Sequence, residues 1–276
     1  MSIIKVKNFS KSYGKTLAVN NVSFEVNKGD IVGFVGKNGA GKSTTIRAML
    51  NMIFPTKGSI TINGLDSVKN SKSIKKLLSY IPSEVNFHEK LKVKDIFEFY
   101  LKFENMDKSR LQSLVTYFEF DVNKRVKELS LGNSKKLAII LSLLKNKDII
   151  IMDEPTSGLD PLMQKKFFEL ILKEKAKGVT IFLSSHNLSE IDRYCDRVLI
   201  IKDGIIVDDL NMEALKHSRK KTLNYICKNG STGSIELNGD INQHIKFLSE
   251  LDLEEISIIE PSAESSFISY YEEDKL

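Results

Sequence analysis

The sequence predicts an α/β chain with a mainly parallel, helix-covered sheet. Three observations carry that reading. Gly36-Lys37-Asn38-Gly39-Ala40-Gly41-Lys42-Ser43 matches G-x-x-x-x-G-K-[ST], a loop whose backbone N–H groups cradle phosphates. Ile31–Val35 before it reads as a short buried strand and Thr44–Asn51 after it as a helix. Downstream, strand and helix patterns alternate from Ile149 to Ile201, as in parallel sheets with crossover helices.

The elements follow in order. Ile3–Lys7 and Val22–Val26 alternate apolar and polar residues as half-buried strands do, predicting an N-terminal antiparallel β subdomain. Tyr13 lies between them in an expected loop, where it could stack on a purine ring. At the phosphate loop, the glycines permit torsions and close approach that a Cβ would block. Lys42 is placed to reach the β- and γ-phosphates, and Ser43 to ligate Mg²⁺. Ser59–Ile62 is a strand between turns. Residues 84–147 change character: Val93–Phe103, Ser109–Phe118 and Ser134–Leu144 have helix-period apolar residues, so a helical subdomain is inserted there.

Strands then return at Ile149–Met152, Val179–Leu183, Val198–Ile201 and Ile205–Val207, with helices at about Pro161–Lys177 and Leu188–Cys195. Asp153 and Glu154 end the first of these, and carboxyl ends of parallel strands face the ligand crevice. Asp153 can hold Mg²⁺ as in phosphate-loop NTPases, and Glu154 can polarise the water that attacks a γ-phosphate.

Composition bounds the alternatives. At 276 residues, 41% hydrophobic and 28% charged, the chain is an ordinary globular one. Its longest stretch without a charged residue, Gly178–Ser189, is far below the roughly 20 residues of a membrane helix. Met1–Lys5 lacks signal-peptide character. Cys195 and Cys227 offer neither a disulfide framework nor metal spacing, which suits a cytoplasmic setting. Residues 209–276 hold 7 Lys+Arg against 13 Asp+Glu, leaving the first 208 residues at +11. The body's lysines are scattered as on a solvated surface, so no nucleic-acid partner is expected. The chain therefore divides into residues 1–208 and a small acidic appendage, 209–276, with expected strands at Ser234–Leu237 and Glu255–Ile259 and a helix at Asn242–Leu251.

Beyond Glu154, Pro155-Thr156-Ser157-Gly158-Leu159-Asp160-Pro161 resembles the D-loop of ABC ATPases, and Leu129-Ser130-Leu131-Gly132-Asn133 resembles their LSGGQ signature. Ser184-Ser185-His186 is similar to the family's switch histidine, and Tyr13 falls at its adenine-stacking aromatic. Over residues 3–208 the chain resembles the ATPase subunit of bacterial ABC exporters serving peptides, antibiotics or lantibiotic immunity. The resemblance implies ATP and Mg²⁺ as cofactors, contacts from Lys37 to Thr44, and a head-to-tail dimer with a second ATPase subunit, identical or different. Ser130 and Gly132 would then cap the γ-phosphate across the interface, His186 would orient Glu154 and the water, and Asp160 would touch the opposite subunit. It also implies a separate multi-helix permease, docked near Ser83–Lys92 through Val85, Phe87 and Leu91, and a place on the inner membrane face. Two departures stand out. Ser83 occupies the family's metal-reaching glutamine position with Glu84 as a substitute candidate, and Leu131 and Asn133 replace a glycine and a glutamine. The competing readings are a soluble ABC ATPase acting on nucleic acid or ribosomes and a low-activity regulatory subunit.

Overall fold

The computed structural model describes residues 1–103, 106–218, 221–237 and 241–259. β1 (Ser2–Tyr13) and β2 (Thr16–Asn27) form a long hairpin closed by a two-residue turn at Gly14-Lys15. Tyr13 pairs with Thr16 at the end of β1 rather than lying in a loop. Register shifts between Val6, Phe9, Lys11 and Ser12 break the period-2 alternation that marks a strand in sequence.

β3 (Ile31–Val35) is buried throughout and feeds the phosphate loop and α1 (Lys42–Met49). β4 (Lys57–Ile62) and β5 (Leu65–Asp66) complete a four-stranded antiparallel sheet in the order β2-β1-β4-β5. α2 (Ser71–Leu77) and β6 (Leu78–Ile81) follow, and neither is predicted by the pattern. α2 buries only Ile74 and so shows no apolar face, while four residues are too few for β6 to display a period.

The inserted helical region contains α3 (Val93–Phe103), α4 (Lys108–Tyr117), a 3₁₀ turn at Val126–Glu128 and α5 (Leu131–Leu144). α5 starts three residues before its apolar pattern because Ser130 caps it, accepting from Asn133 N at 3.3 Å. β7 (Ile149–Asp153), α6 (Pro161–Ala176), β8 (Thr180–Ser185), α7 (Leu188–Tyr194), β9 (Arg197–Lys202) and β10 (Ile205–Asn211) restore the alternation.

The main sheet has the order β10-β9-β3-β8-β7-β6 and is parallel except for β10. Each face carries a core. Phe24, Phe34 and Phe182 cluster between it and the antiparallel sheet, with Phe24 and Phe182 stacked at 5.7 Å. Phe118, Leu137, Phe167 and Phe168 belong to the core that joins the inserted helices and α6 to the sheet.

The change of character expected at residue 209 falls inside β10, where Asp209 pairs with Leu199 and makes an ion pair with Arg197. α8 (Met212–Ser218) leads to β11 (Lys221–Cys227), β12 (Thr232–Leu237), α9 (Ile241–Ser249) and β13 (Leu253–Ile259), with sheet order β12-β11-β13. The expected strands and helix of this region are present, and α8 and β11 are additions. Residues 260–276 lie outside the described residues.

Candidate active site

Parallel pairing fixes where the chemistry collects. Val35 aligns with Ser185 and Asp153 with Ser184. The residues that follow these strands, Gly36, Glu154 and His186, therefore leave one edge of the sheet together.

The phosphate loop is built by close packing behind it. A Cβ at Gly36 would collide with the Ile201 carbonyl, and one at Gly41 would lie 2.8 Å from Ala18 O. Gly41, at φ 107°, occupies the N-cap position of α1 without any side-chain cap, so its first-turn N–H groups stay available to an anion. Lys42 is 6% exposed and folds back onto the loop, donating to Gly36 O at 2.6 Å and Lys37 O at 3.3 Å. Asn38, Gly39, Gly41, Lys42, Ser43 and Thr44 line one pocket with Ser83 and Glu154. Ala40 is buried beneath it, its carbonyl accepting from Gly204 N at 3.1 Å.

Glu154 joins the loop to the β8 end. Its Oε1 lies 3.5 Å from Lys42 Nζ and its Oε2 2.7 Å from His186 Nδ1. The contact with the Glu154 carboxylate at Nδ1 orients the ring and leaves Nε2 as its other polar atom. Glu154 adopts φ 48°, a left-handed conformation that a non-glycine residue keeps only when its surroundings enforce it. Ser184 does so: its hydroxyl accepts from Glu154 N at 3.0 Å and donates to Asp153 Oδ1 at 2.6 Å, and its carbonyl accepts from Glu154 N at 3.2 Å.

The donor set fits a divalent cation that arrives with phosphates. Ser43 Oγ donates to Asp153 Oδ1 at 3.1 Å, and Asp153 Oδ2 is buried without a hydrogen-bond partner. Among the described residues, no cluster of three His, Cys, Asp or Glu exists to cage a metal without substrate oxygens. One hydroxyl and one carboxylate suit Mg²⁺, which keeps waters and phosphates in its octahedron.

A family model described as ABC transporter matches residues 19–157, just over half of the chain. The chain belongs to that family. It is 37% identical over 210 residues to an uncharacterised ABC transporter ATP-binding protein of Methanocaldococcus jannaschii, covering 73% of this chain and 74% of the relative. It is 36% identical over 228 residues to a bacitracin transport ATP-binding protein of Bacillus licheniformis, covering 81% and 74%. A solved ATP-binding subunit of an ABC transporter superposes with a TM-score of 0.72 at 28% identity, over 78% of this chain and 92% of that one. The chain is thus the ATP-binding subunit of an ABC transporter, and an ATPase. Subunits of this family work with membrane permeases and dimerise.

The remaining ABC motif residues divide into two sets. Tyr13 is about half exposed at the hairpin tip, with Lys11 Nζ 5.0 Å from its ring centroid, and residues 18–19 of the same hairpin pack behind Gly41. Ser130 and Gly132 do not line the phosphate pocket; Gly132 packs against Gly158, and Leu131 beside it is 72% exposed. Asp160 caps α6, its Oδ1 accepting from Met163 N at 3.0 Å. Ser83 lines the pocket, whereas Glu84 is exposed and outside its lining. Phe87 and Leu91 line an apolar cleft with Ile96, Phe99 and Tyr100, and Val85 is not part of that lining.

Two further residues, Lys135 and Glu190, carry no local motif, and Ser184, read only as part of the Ser184-Ser185-His186 segment, gains its contacts to Asp153 and Glu154 from the fold. Lys135, on α5, is 2% exposed and donates to Pro82 O and Ser83 O. Burial pushes its pKa down to about 8, opposed by the charges of Asp153 and Glu154. Two lysines at 135–136 read in sequence as a solvated pair, and only the fold shows which one turns inward.

Proposed function

We propose that this ATPase subunit powers a separate multi-helix permease from the inner face of the membrane, exporting a peptide or antibiotic-like substrate. The observation that carries the catalytic part is the position of Glu154 between Lys42 and His186 at the mouth of the phosphate pocket. In this reading the loop N–H groups from Lys37 to Thr44 and the Lys42 ammonium hold the phosphates, with Tyr13 against the adenine. Glu154 accepts the proton of the attacking water, and His186 Nε2 meets the γ-phosphate while Nδ1 aligns Glu154. Ser43 and Asp153 would hold Mg²⁺. A bound Mg²⁺ neutralises charge on the β- and γ-phosphoryl oxygens.

The signature half of the site supports a dimer. Ser130 and Gly132 lie outside their own chain's pocket beside an exposed Leu131, as expected if they cap the nucleotide of a second ATPase subunit. ATP binding then closes the head-to-tail pair by its greater affinity for the closed state, and hydrolysis resets it. The apolar cleft at Phe87, Leu91 and Phe99 suits a permease helix. The bacitracin relative favours an antibiotic-like cargo. Residues 209–276 are taken as an appendage, since among the described residues β11–β13 pair only with one another.

Affinity purification from the host's membranes in mild detergent tests this reading. A stoichiometric polytopic membrane protein is the expected companion. Recovery with ribosomes, nucleic acid or no partner contradicts it.

A further inference from the structure

We propose that Glu190 is a positioning residue for ATP hydrolysis: its buried carboxylate ties the turn after Glu154 to the loop carrying His186 and so holds that pair in contact. This rests on the roles given above to Glu154 and His186.

The connection runs through one oxygen. Glu190 Oε2 accepts from Thr156 Oγ1 at 3.0 Å and from Ser185 Oγ at 3.4 Å. Thr156 is two residues beyond Glu154, and Ser185 immediately precedes His186. Ser185 Oγ also accepts from Asn187 N at 3.0 Å, while Asn187 Oδ1 caps α7 by accepting from Ser189 N and Glu190 N. Glu190 is therefore fixed by the helix that begins directly after the histidine loop, and it reaches back under both loops.

That clamp is where the turn needs one. Glu154 is strained at φ 48° and is gripped on its N-terminal side by Ser184. On the other side, Ser157 N donates to Glu154 O at 3.3 Å and Leu159 N to Thr156 O at 3.0 Å within the turn, and Gln164 Nε2 donates to Leu159 O at 3.2 Å at its far end. The Thr156 hydroxyl is its side-chain anchor outward, and that anchor is Glu190.

Packing alone does not account for a carboxyl here. Glu190 is 7% exposed, its Oε1 is buried without a hydrogen-bond partner, and no ion pair joins it among the described residues. Burying such a group is costly unless polar partners offset it. Burial raises its pKa, the Thr156 and Ser185 hydroxyls oppose the rise, Glu154 adds to it and His186 lowers it. Lys165 and Arg193 border the cleft at its side. Among the described residues only the two hydroxyls bond the carboxyl, and both belong to the loops that carry the catalytic pair.

The test compares steady-state ATPase kinetics of E190A, E190Q, T156V and H186A, alone and with H186A combined with E190A or T156V. Thermal melts verify folding. E190A and T156V are expected to lower kcat about tenfold and leave KM for ATP within about twofold, the pattern of lost transition-state alignment. E190Q should keep most of kcat, because the amide oxygen accepts both hydroxyls. In the H186A background, E190A or T156V should add less than about twofold, since coupled residues are non-additive. T156V removes one hydroxyl without changing volume and decides the matter if E190A does not fold. Unchanged kcat in folded T156V or E190A, or a full multiplicative loss on top of H186A, overturns the role of Glu190. Normal turnover in H186A overturns instead the underlying assignment of His186, and the proposal falls with it.

Discussion

Lys135 holds Ser83: the ammonium from the second turn of α5 donates to the Ser83 carbonyl at 2.9 Å, and to the Pro82 carbonyl at 2.8 Å. The helix that opens at Ser130 is thereby tied to the segment after β6 that borders the phosphate pocket.

This link gives stability a pH dependence. The ordinary lysine value is 10.5, and in the folded chain Lys135 is pushed down to about 8. Between these values the unfolded chain binds the proton and the folded chain does not, so stability rises with pH by up to about 1.4 kcal/mol per unit. Below about pH 8 both states are charged and the dependence ends. Urea unfolding with EDTA and without nucleotide should show the wild type gaining on K135M across this window. A constant difference between the two proteins would refute the titration of Lys135.

Asp160 has a structural role within its own chain. Its carboxylate caps α6, and loss of such a cap costs about 1 kcal/mol. D160A should therefore lower unfolding free energy by that amount, while D160S keeps most of it. Undiminished stability in D160A would contradict this capping role.

Two glycines of the phosphate loop should fail for different reasons. Alanine at Gly36 meets the Ile201 backbone and the Ala40 side chain, an overpacking expected to cost about 2 kcal/mol or more and to weaken ATP binding. Gly39 has open space around it but φ 86°, so alanine there costs about 1–2 kcal/mol through torsion alone. Denaturant unfolding and ATP titration of both variants check this. Equal, negligible effects would show that the loop relaxes freely.

The part of this site legible in sequence is the part written contiguously. The phosphate loop, Asp153-Glu154 and His186 each sit at the end of a strand that the apolar pattern reveals. Their supports are not contiguous. Ser184 meets Asp153 across 31 residues, Glu190 meets Thr156 across 34 and Lys135 meets Ser83 across 52. No period or motif marks such pairs; register and helix rotation create them. The fold was obscured for a related reason at β1, where bulges scramble the alternation, and at α2 and β6, which are too short or too polar to show a face. Asp160 and Ser130 were recognisable by family resemblance, but their helix-capping bonds became visible only with the helices in place.

The role of Glu154 as general base of ATP hydrolysis is tested by ATP turnover and ATP affinity of E154Q beside the wild type. E154Q should bind ATP with ordinary affinity and turn it over at least about a hundredfold more slowly, the size expected for a lost base. Turnover near that of the wild type in E154Q would contradict it.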